Sequence, residues 1–209
     1  MSFAKAIVAS LVSIIFVGCA FTRTETKVNF TPQIMSPLMA VASESSMSLA
    51  KIKDTRSVKD ERVLMHKKNG YGQTTTGAYV ADRPVAEILQ SGVMTALRQN
   101  RFPVTDESGK YELRGDLQDF SFEVITGFWS GTVKPKISVR FEVVEKETGR
   151  SVWRDTYVGR DTMQASWGDA ALVAEMFTKA ANSIVDQLIA DESFRSLFVG
   201  GATPTASLK

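Results

Sequence analysis

Lys136-Ile137-Ser138-Val139-Arg140-Phe141-Glu142-Val143 decides the fold. Successive side chains on a strand point to opposite faces, so Ile137, Val139, Phe141 and Val143 share one side and Lys136, Ser138, Arg140 and Glu142 the other. A strand with one wet face belongs to an antiparallel sheet that is covered on one side only. Glu147-Thr148-Gly149-Arg150 follows, a hairpin turn in which Gly149 is free to take positive φ. Residues 151–162 then return as the partner strand, carrying Trp153 and Tyr157.

Upstream, Tyr111, Leu113 and Leu117 stand at odd positions and Phe120, Phe122 and Val124 at even ones. That change of phase inside one strand predicts a bulge at Gln118-Asp119. Phe102 and Val104 make a short strand. Val85, Ile88, Leu89, Gly92, Ala96 and Leu97 fall on one helical face, so a helix spans 83–99, with Asp82 as its N-cap and Pro84 in its first turn. Ser166-x-x-Asp169 resembles a capping box. Beyond it Val173, Met176, Phe177, Ala180, Ala181, Ile184 and Leu188 repeat at helical spacing over 169–190, with a short extension through Phe194 and Leu197. Residues 47–54 read as a first strand, with Met47, Leu49 and Lys51 on one side and Ser48, Ala50 and Ile52 on the other. Residues 55–81 read as a long polar loop with room for a short hairpin. The expected architecture is α+β: a two-layer sandwich with two main helices on one face of a mostly antiparallel sheet.

The chain has 209 residues, a length that suits one domain with tails. Lys+Arg 25 against Asp+Glu 23 gives a net charge of +2, so nothing supplies the basic stripe that nucleic-acid binding needs. One cysteine excludes a disulfide framework and a thiolate metal cluster. One histidine excludes the multi-histidine metal sites and leaves few routes to histidine-based catalysis. No cofactor and no metal are expected.

The N-terminus carries the strongest functional signal. Lys5 is followed by an uncharged run over 6–17, then Gly18 and Cys19. A helix of that length spans roughly 18 Å against a hydrocarbon core of roughly 30 Å, so residues 1–18 read as a secretory signal peptide and not as a membrane span. Phe16-Val17-Gly18-Cys19 resembles the lipobox of bacterial lipoproteins. The resemblance implies cleavage between Gly18 and Cys19, diacylation of the Cys19 thiol and a further acyl chain on the new amine. Several acyl chains hold a protein firmly to a bilayer where one holds it marginally. Ala20, in place of an aspartate after the cysteine, implies sorting to the outer membrane. Residues 19–46, rich in Thr, Ser and Pro, read as the acylated N-terminus and a flexible tether, with a short strand near 27–30. About 26 flexible residues reach roughly 28 Å. Residues 47–198 form the periplasmic domain, and 199–209 a disordered tail.

The whole layout is similar to that of the YajG-like family of bacterial lipoproteins. Lipobox, tether, a first strand ending in Asp54-Thr55-Arg56, the amphipathic helix, antiparallel strands and a final helix follow in that order. The resemblance implies an envelope lipoprotein without established enzymatic activity. Auxiliary lipoproteins of envelope transporters and regulators of peptidoglycan synthases look alike at this level.

The remaining motifs favour plain readings. Gly70-Tyr71-Gly72 with Gly77 lacks the Gly-Lys-Ser/Thr ending of a phosphate loop. Gly127-Phe128-Trp129-Ser130-Gly131 has its serine one place too late for a nucleophile elbow and suits a hairpin tip. Asp116, Asp119 and Glu123 on one strand read as solvated charges and not as an acid–base pair. His66 reads as a solvated loop residue, and Asp54 with Arg56 as a local ion pair or strand cap. Phe128 and Trp129 are the candidate contact residues for an envelope protein partner, since exposed aromatics mark interaction surfaces; the other reading folds Trp129 back over the core. The rival function, a cell-wall hydrolase, needs converging catalytic side chains that no motif supplies.

Overall fold

The computed structural model describes residues 20–32, 45–69, 71–106, 109–126, 131–165 and 170–198. Along the chain run β1 (Arg23–Thr26), β2 (Met47–Leu49), β3 (Lys53–Asp54), β4 (Val63–Lys68), β5 (Thr74–Ala81) and helix α1 (Val85–Gln99). They are followed by β6 (Tyr111–Thr126), β7 (Gly131–Glu145), β8 (Ser151–Arg160), β9 (Met163–Ala165), α2 (Ala170–Ala190) and α3 (Glu192–Ser196).

The antiparallel meander β6–β7–β8 is the backbone of a six-stranded sheet. Ile137, Val139, Phe141 and Val143 are all fully buried, while their alternating neighbours face outward. The register of β6 on β7 slips between Leu117 and Asp119, which leaves Gln118 as the extra residue and brings Phe120 to the same face as Leu117. Gly149 takes φ 69°, and its N–H donates to the Glu145 carbonyl at 2.8 Å. β2 and β3 add to β6 in parallel. The inward face carries α2, whose Val173, Phe177, Ala180, Ala181, Ile184 and Leu188 are buried. Helix and strand come so close that a Cβ on Gly159 would lie 1.9 Å from the Ala180 carbonyl oxygen. The fold is an α+β sandwich with its main sheet mostly antiparallel.

Four local readings are corrected. First, residues 47–54 are not one strand. Met47 and Ile52 are both buried, and the pairing offset on β6 changes by one between Leu49↔Leu113 and Lys53↔Asp116. The chain kinks there because Ile52 N–H donates at 3.1 Å to Gln90 Oε1 on α1 and not to the sheet.

Second, Asp82 does not cap α1. It accepts from Val28 N–H at 3.2 Å, and Pro84 in an extended conformation precedes the helix. Third, residues 55–81 contain a full antiparallel hairpin, β4–β5. Its buried residues, Val63, Leu64 and Ala78 to Ala81, cluster at one end of each strand, so neither strand shows a clean period of two.

Fourth, residues 20–32 are not tether. β1 pairs in parallel with β5 to complete a second sheet in the order β1-β5-β4. Val28 and Phe30 enter the same core cluster as α1, α2 and the main sheet. Phe30 lies over Gly92, where any Cβ would fall 2.0 Å from its ring, and meets Phe177 edge-on at 6.2 Å. The capping box at 166–169 and the tail at 199–209 lie outside the described residues.

Candidate functional surface

Asp54 and Arg56 form a buried ion pair, with side chains 2 % and 5 % exposed. Arg56 Nη2 donates to Asp54 Oδ2 at 2.6 Å and Nε to Oδ1 at 2.9 Å. Nη1 also donates to the Val63 carbonyl at 2.9 Å and Nη2 to that of Glu61 at 3.1 Å. A planar guanidinium suits such a forked arrangement. The pair therefore clamps the end of β3 in one sheet to the start of β4 in the other. It is a structural joint, with its donors and acceptors occupied, and not an open binding site.

Cross-strand ion pairs lie on the outer face of the main sheet. Arg140 reaches Asp116 at 2.5 Å, Arg154 reaches Glu142 at 2.5 Å, and Lys136 reaches Asp119 at 3.4 Å. Desolvation would raise Glu142, but hydrogen bonds from Ser151 and Arg154 and the nearby positive charges hold its carboxyl below the ordinary range. Asp116 and Asp119 are thus neutralised by cations across the strand, as solvated charges should be. His66 is exposed on β4. Among the described residues no group of three His, Cys, Asp or Glu side chains converges as a metal site.

A polar chain holds α3 against β8. Tyr157 Oη donates to Asp191 Oδ2 at 2.6 Å, Ser193 Oγ to Asp191 Oδ1 at 2.5 Å, and Trp153 Nε1 to Ser193 Oγ at 2.9 Å. Burial together with the Asp191 carboxylate pushes the Tyr157 phenol far above its usual value, so it stays a donor. Phe194 N–H closes the α3 N-cap on Asp191 at 2.9 Å. The set reads as an anchor for the last helix.

A recess of about 690 Å³ opens beside Phe122, Lys134, Pro135, Lys136, Arg160 and Asp161, where β8 passes into β9. Pro135 has no N–H to offer β8, and the strand breaks opposite it. Lys134, Lys136 and Arg160 line the recess together with Glu123 and Asp161, and the Ser121 hydroxyl at its edge donates to Asp119 at 2.9 Å.

Gly18, Cys19, Phe128 and Trp129 lie outside the described residues. β6 and β7 stay paired up to Thr126 and Gly131, which flank the candidate contact residues. Ala20, next after Cys19, is fixed: its carbonyl accepts from Thr75 Oγ1, and Ala78 N–H donates to the Thr22 carbonyl at 3.3 Å. This stitching was missed in the sequence. Its signal is an alternation of Arg23, Glu25, Lys27 and Asn29 outward with Thr24, Thr26, Val28 and Phe30 inward.

The fold and surface define a class: an α+β domain that follows a lipobox-like sequence, with no assembled catalytic centre among the described residues. The chain belongs to the family of uncharacterized lipoproteins, Lipoprotein_16, the YajG-like bacterial lipoproteins, whose profile matches residues 32–198. A search of curated proteins finds no match. Among solved structures, protein XCC0632 from Xanthomonas campestris shares 19 % identity, with 80 % of this chain and 92 % of that one covered and a TM-score of 0.54; that likeness is one of fold. A PelC dodecamer from Paraburkholderia phytofirmans matches at 15 % identity, 70 % and 92 % coverage and a TM-score of 0.37. A minor lipoprotein from Acinetobacter baumannii matches at 14 %, 70 % and 93 % coverage and 0.39. Among the described residues no helix is long and apolar enough to cross a membrane.

Proposed function

We propose that this lipoprotein is a non-enzymatic domain of the cell envelope, held on the periplasmic face of the outer membrane by acyl chains on Cys19, and that it works by contact with an envelope protein. The observation that carries the reading is the position of Ala20. The residue that follows the acylation site is sewn to β5, and β1 starts at Arg23. An anchor on Cys19 therefore holds the domain directly, without the 28 Å of slack that a flexible tether of about 26 residues would give. Lipidation is the step that converts such a chain from soluble to membrane-bound.

Among the described residues no catalytic constellation is assembled. Asp116, Asp119 and Glu142 on the main sheet are paired with arginine or lysine, and the buried pair Asp54–Arg56 has its donors and acceptors engaged. A lipid-carrier role needs an apolar cavity between helices and sheet. The close approach of Gly159 to Ala180 and the buried Phe141 and Phe177 fill that layer instead. Contact remains, and Phe128 and Trp129 are the residues proposed to make it.

Cell fractionation of Cys19→Ala tests the anchor: the variant moves from the membrane to the soluble fraction, and retention in the membrane contradicts the reading. Cross-linking in cells tests contact. Trp129→Ala, folded and still anchored, loses the cross-linked partner; an unchanged pattern removes Phe128 and Trp129 from the interface.

A further inference from the structure

Among the described residues, the exposed large hydrophobic side chains are Tyr71, at 92 %, and Phe21, at 53 %. They sit at the same end of the molecule. β1 runs parallel to β5 from Arg23↔Ala78 onward, so the residues before Arg23 lie beside the start of β5, next to the β4–β5 turn. Thr75 Oγ1 donates to the Ala20 carbonyl, and Lys67 Nζ reaches Thr22 Oγ1 at 3.2 Å and Thr24 Oγ1 at 2.7 Å. A Cβ on Gly77 would lie 2.2 Å from the Ala20 carbonyl oxygen, so the two backbones are as close as they can be.

The turn is built to display Tyr71. Asn69 Oδ1 accepts from the Tyr71 and Gln73 N–H groups, both at 3.0 Å, and Asn69 Nδ2 donates to Gln73 Oε1 at 2.9 Å. Gly72 closes it at φ 77°. From Val63 to Ala81 the hairpin carries His66, Lys67 and Lys68 and no acidic residue. Lys68 is exposed beside the turn.

We propose that this hairpin tip, with Tyr71 foremost and Phe21 beside it, rests in the headgroup layer of the leaflet that holds the acyl chains. The occupant is a phospholipid surface because of where the chain leads. Consecutive Cα atoms are about 3.8 Å apart, so an acyl chain on Cys19 is joined to the domain one residue before Ala20. From Thr75 to Tyr71 a strand covers about 13 Å at roughly 3.3 Å per residue. The tip thus lies within one hairpin length of the lipid. Tyrosine favours the membrane–water boundary, and an exposed lysine such as Lys68 is drawn to anionic headgroups. The anchor and the tip then fix the domain's orientation from two sides.

This inference rests on acylation of Cys19, and the test separates the two. The full chain, processed in a lipoprotein-maturing host, is reconstituted into vesicles of phosphatidylethanolamine and phosphatidylglycerol. Cys19, once acylated, offers no thiol, so Tyr71→Cys takes a single environment-sensitive fluorophore; Glu147→Cys, in the β7–β8 turn, is the comparison. Circular dichroism checks that both variants keep the fold. Vesicle flotation and the mass of the N-terminal peptide report the anchor separately. The label at 71 shifts to the blue on reconstitution and loses most of its emission to headgroup-brominated lipid, whereas the label at 147 does neither. An acylated, co-floating protein whose label at 71 stays in water overturns the docking and leaves the anchor standing. A chain unacylated at Cys19 overturns both.

Discussion

Arg56 shows how a short motif acquires its meaning from residues far along the chain. Asp-x-Arg places two opposite charges two residues apart, and a local ion pair follows from that spacing alone. That the pair is buried, and that its spare donors meet the carbonyls of Glu61 and Val63, depends on the β4–β5 hairpin, whose strands the local pattern conceals. Arg56→Ala leaves Asp54 charged, buried and unpaired, a loss that costs about 3–5 kcal/mol. Urea denaturation checks it; a loss under about 1 kcal/mol, the scale of an exposed pair, contradicts the joint. Asp191 carries a pH dependence. Burial alone would raise its carboxyl, but hydrogen bonds from Ser193, Tyr157 and the backbone of Phe194 and Ser193 outweigh it and hold it below the ordinary value of 3.8. The folded chain therefore gives up this proton more readily than the unfolded chain. Its contribution is complete above the ordinary carboxylate range and is lost as the pH falls through 3.8 toward the lower folded value. Asp191→Ala should cost about 1–2 kcal/mol near neutrality, the scale of a lost N-cap, with the difference shrinking in acid. A pH series of denaturant midpoints reads this directly, and a difference that widens in acid contradicts the assignment.

At the scale of elements, the meander and the two main helices were legible because each repeats one period over many residues. β7 alternates from Val133 to Val143, α1 and α2 keep the helical repeat, and even the bulge at Gln118 announces itself by a change of phase. β1 to β5 were harder to read. β2 and β3 hold only a few residues each, β4 and β5 bury their apolar residues at one end, and β1 lies in a stretch whose Thr and Pro content looks like linker. Phe30 and Gly92 make the β1 assignment testable. Phe30→Ala removes a core ring and costs about 3–5 kcal/mol. Gly92→Ala destabilises the native protein, since its Cβ would fall 2.0 Å from that ring. In the Phe30→Ala background the same change should turn neutral or stabilising, because alanine favours a helix over glycine by about 1 kcal/mol. A double-mutant cycle measures this coupling. Additive effects would place Phe30 away from α1.

For the whole molecule, the paired part of the domain reaches back to Ala20, the residue after the candidate lipidation site, farther than composition suggests. Membership of a lipoprotein family is shown, and the resemblance to that family was readable from the lipobox-like first residues and the overall layout. The consequence for mechanics was not readable, because it depends on pairing between residues more than fifty apart, Thr75 with Ala20. In the reading proposed above, acylation of Cys19 would keep one face of the domain toward the membrane, because the next residue is sewn to β5. The most direct test of this account is the intact mass of the N-terminal peptide from protein extracted from native membranes. The account predicts a chain that starts at residue 19 and bears acyl groups on the Cys19 sulfur and amine. A chain that starts at Met1 with a free thiol contradicts it.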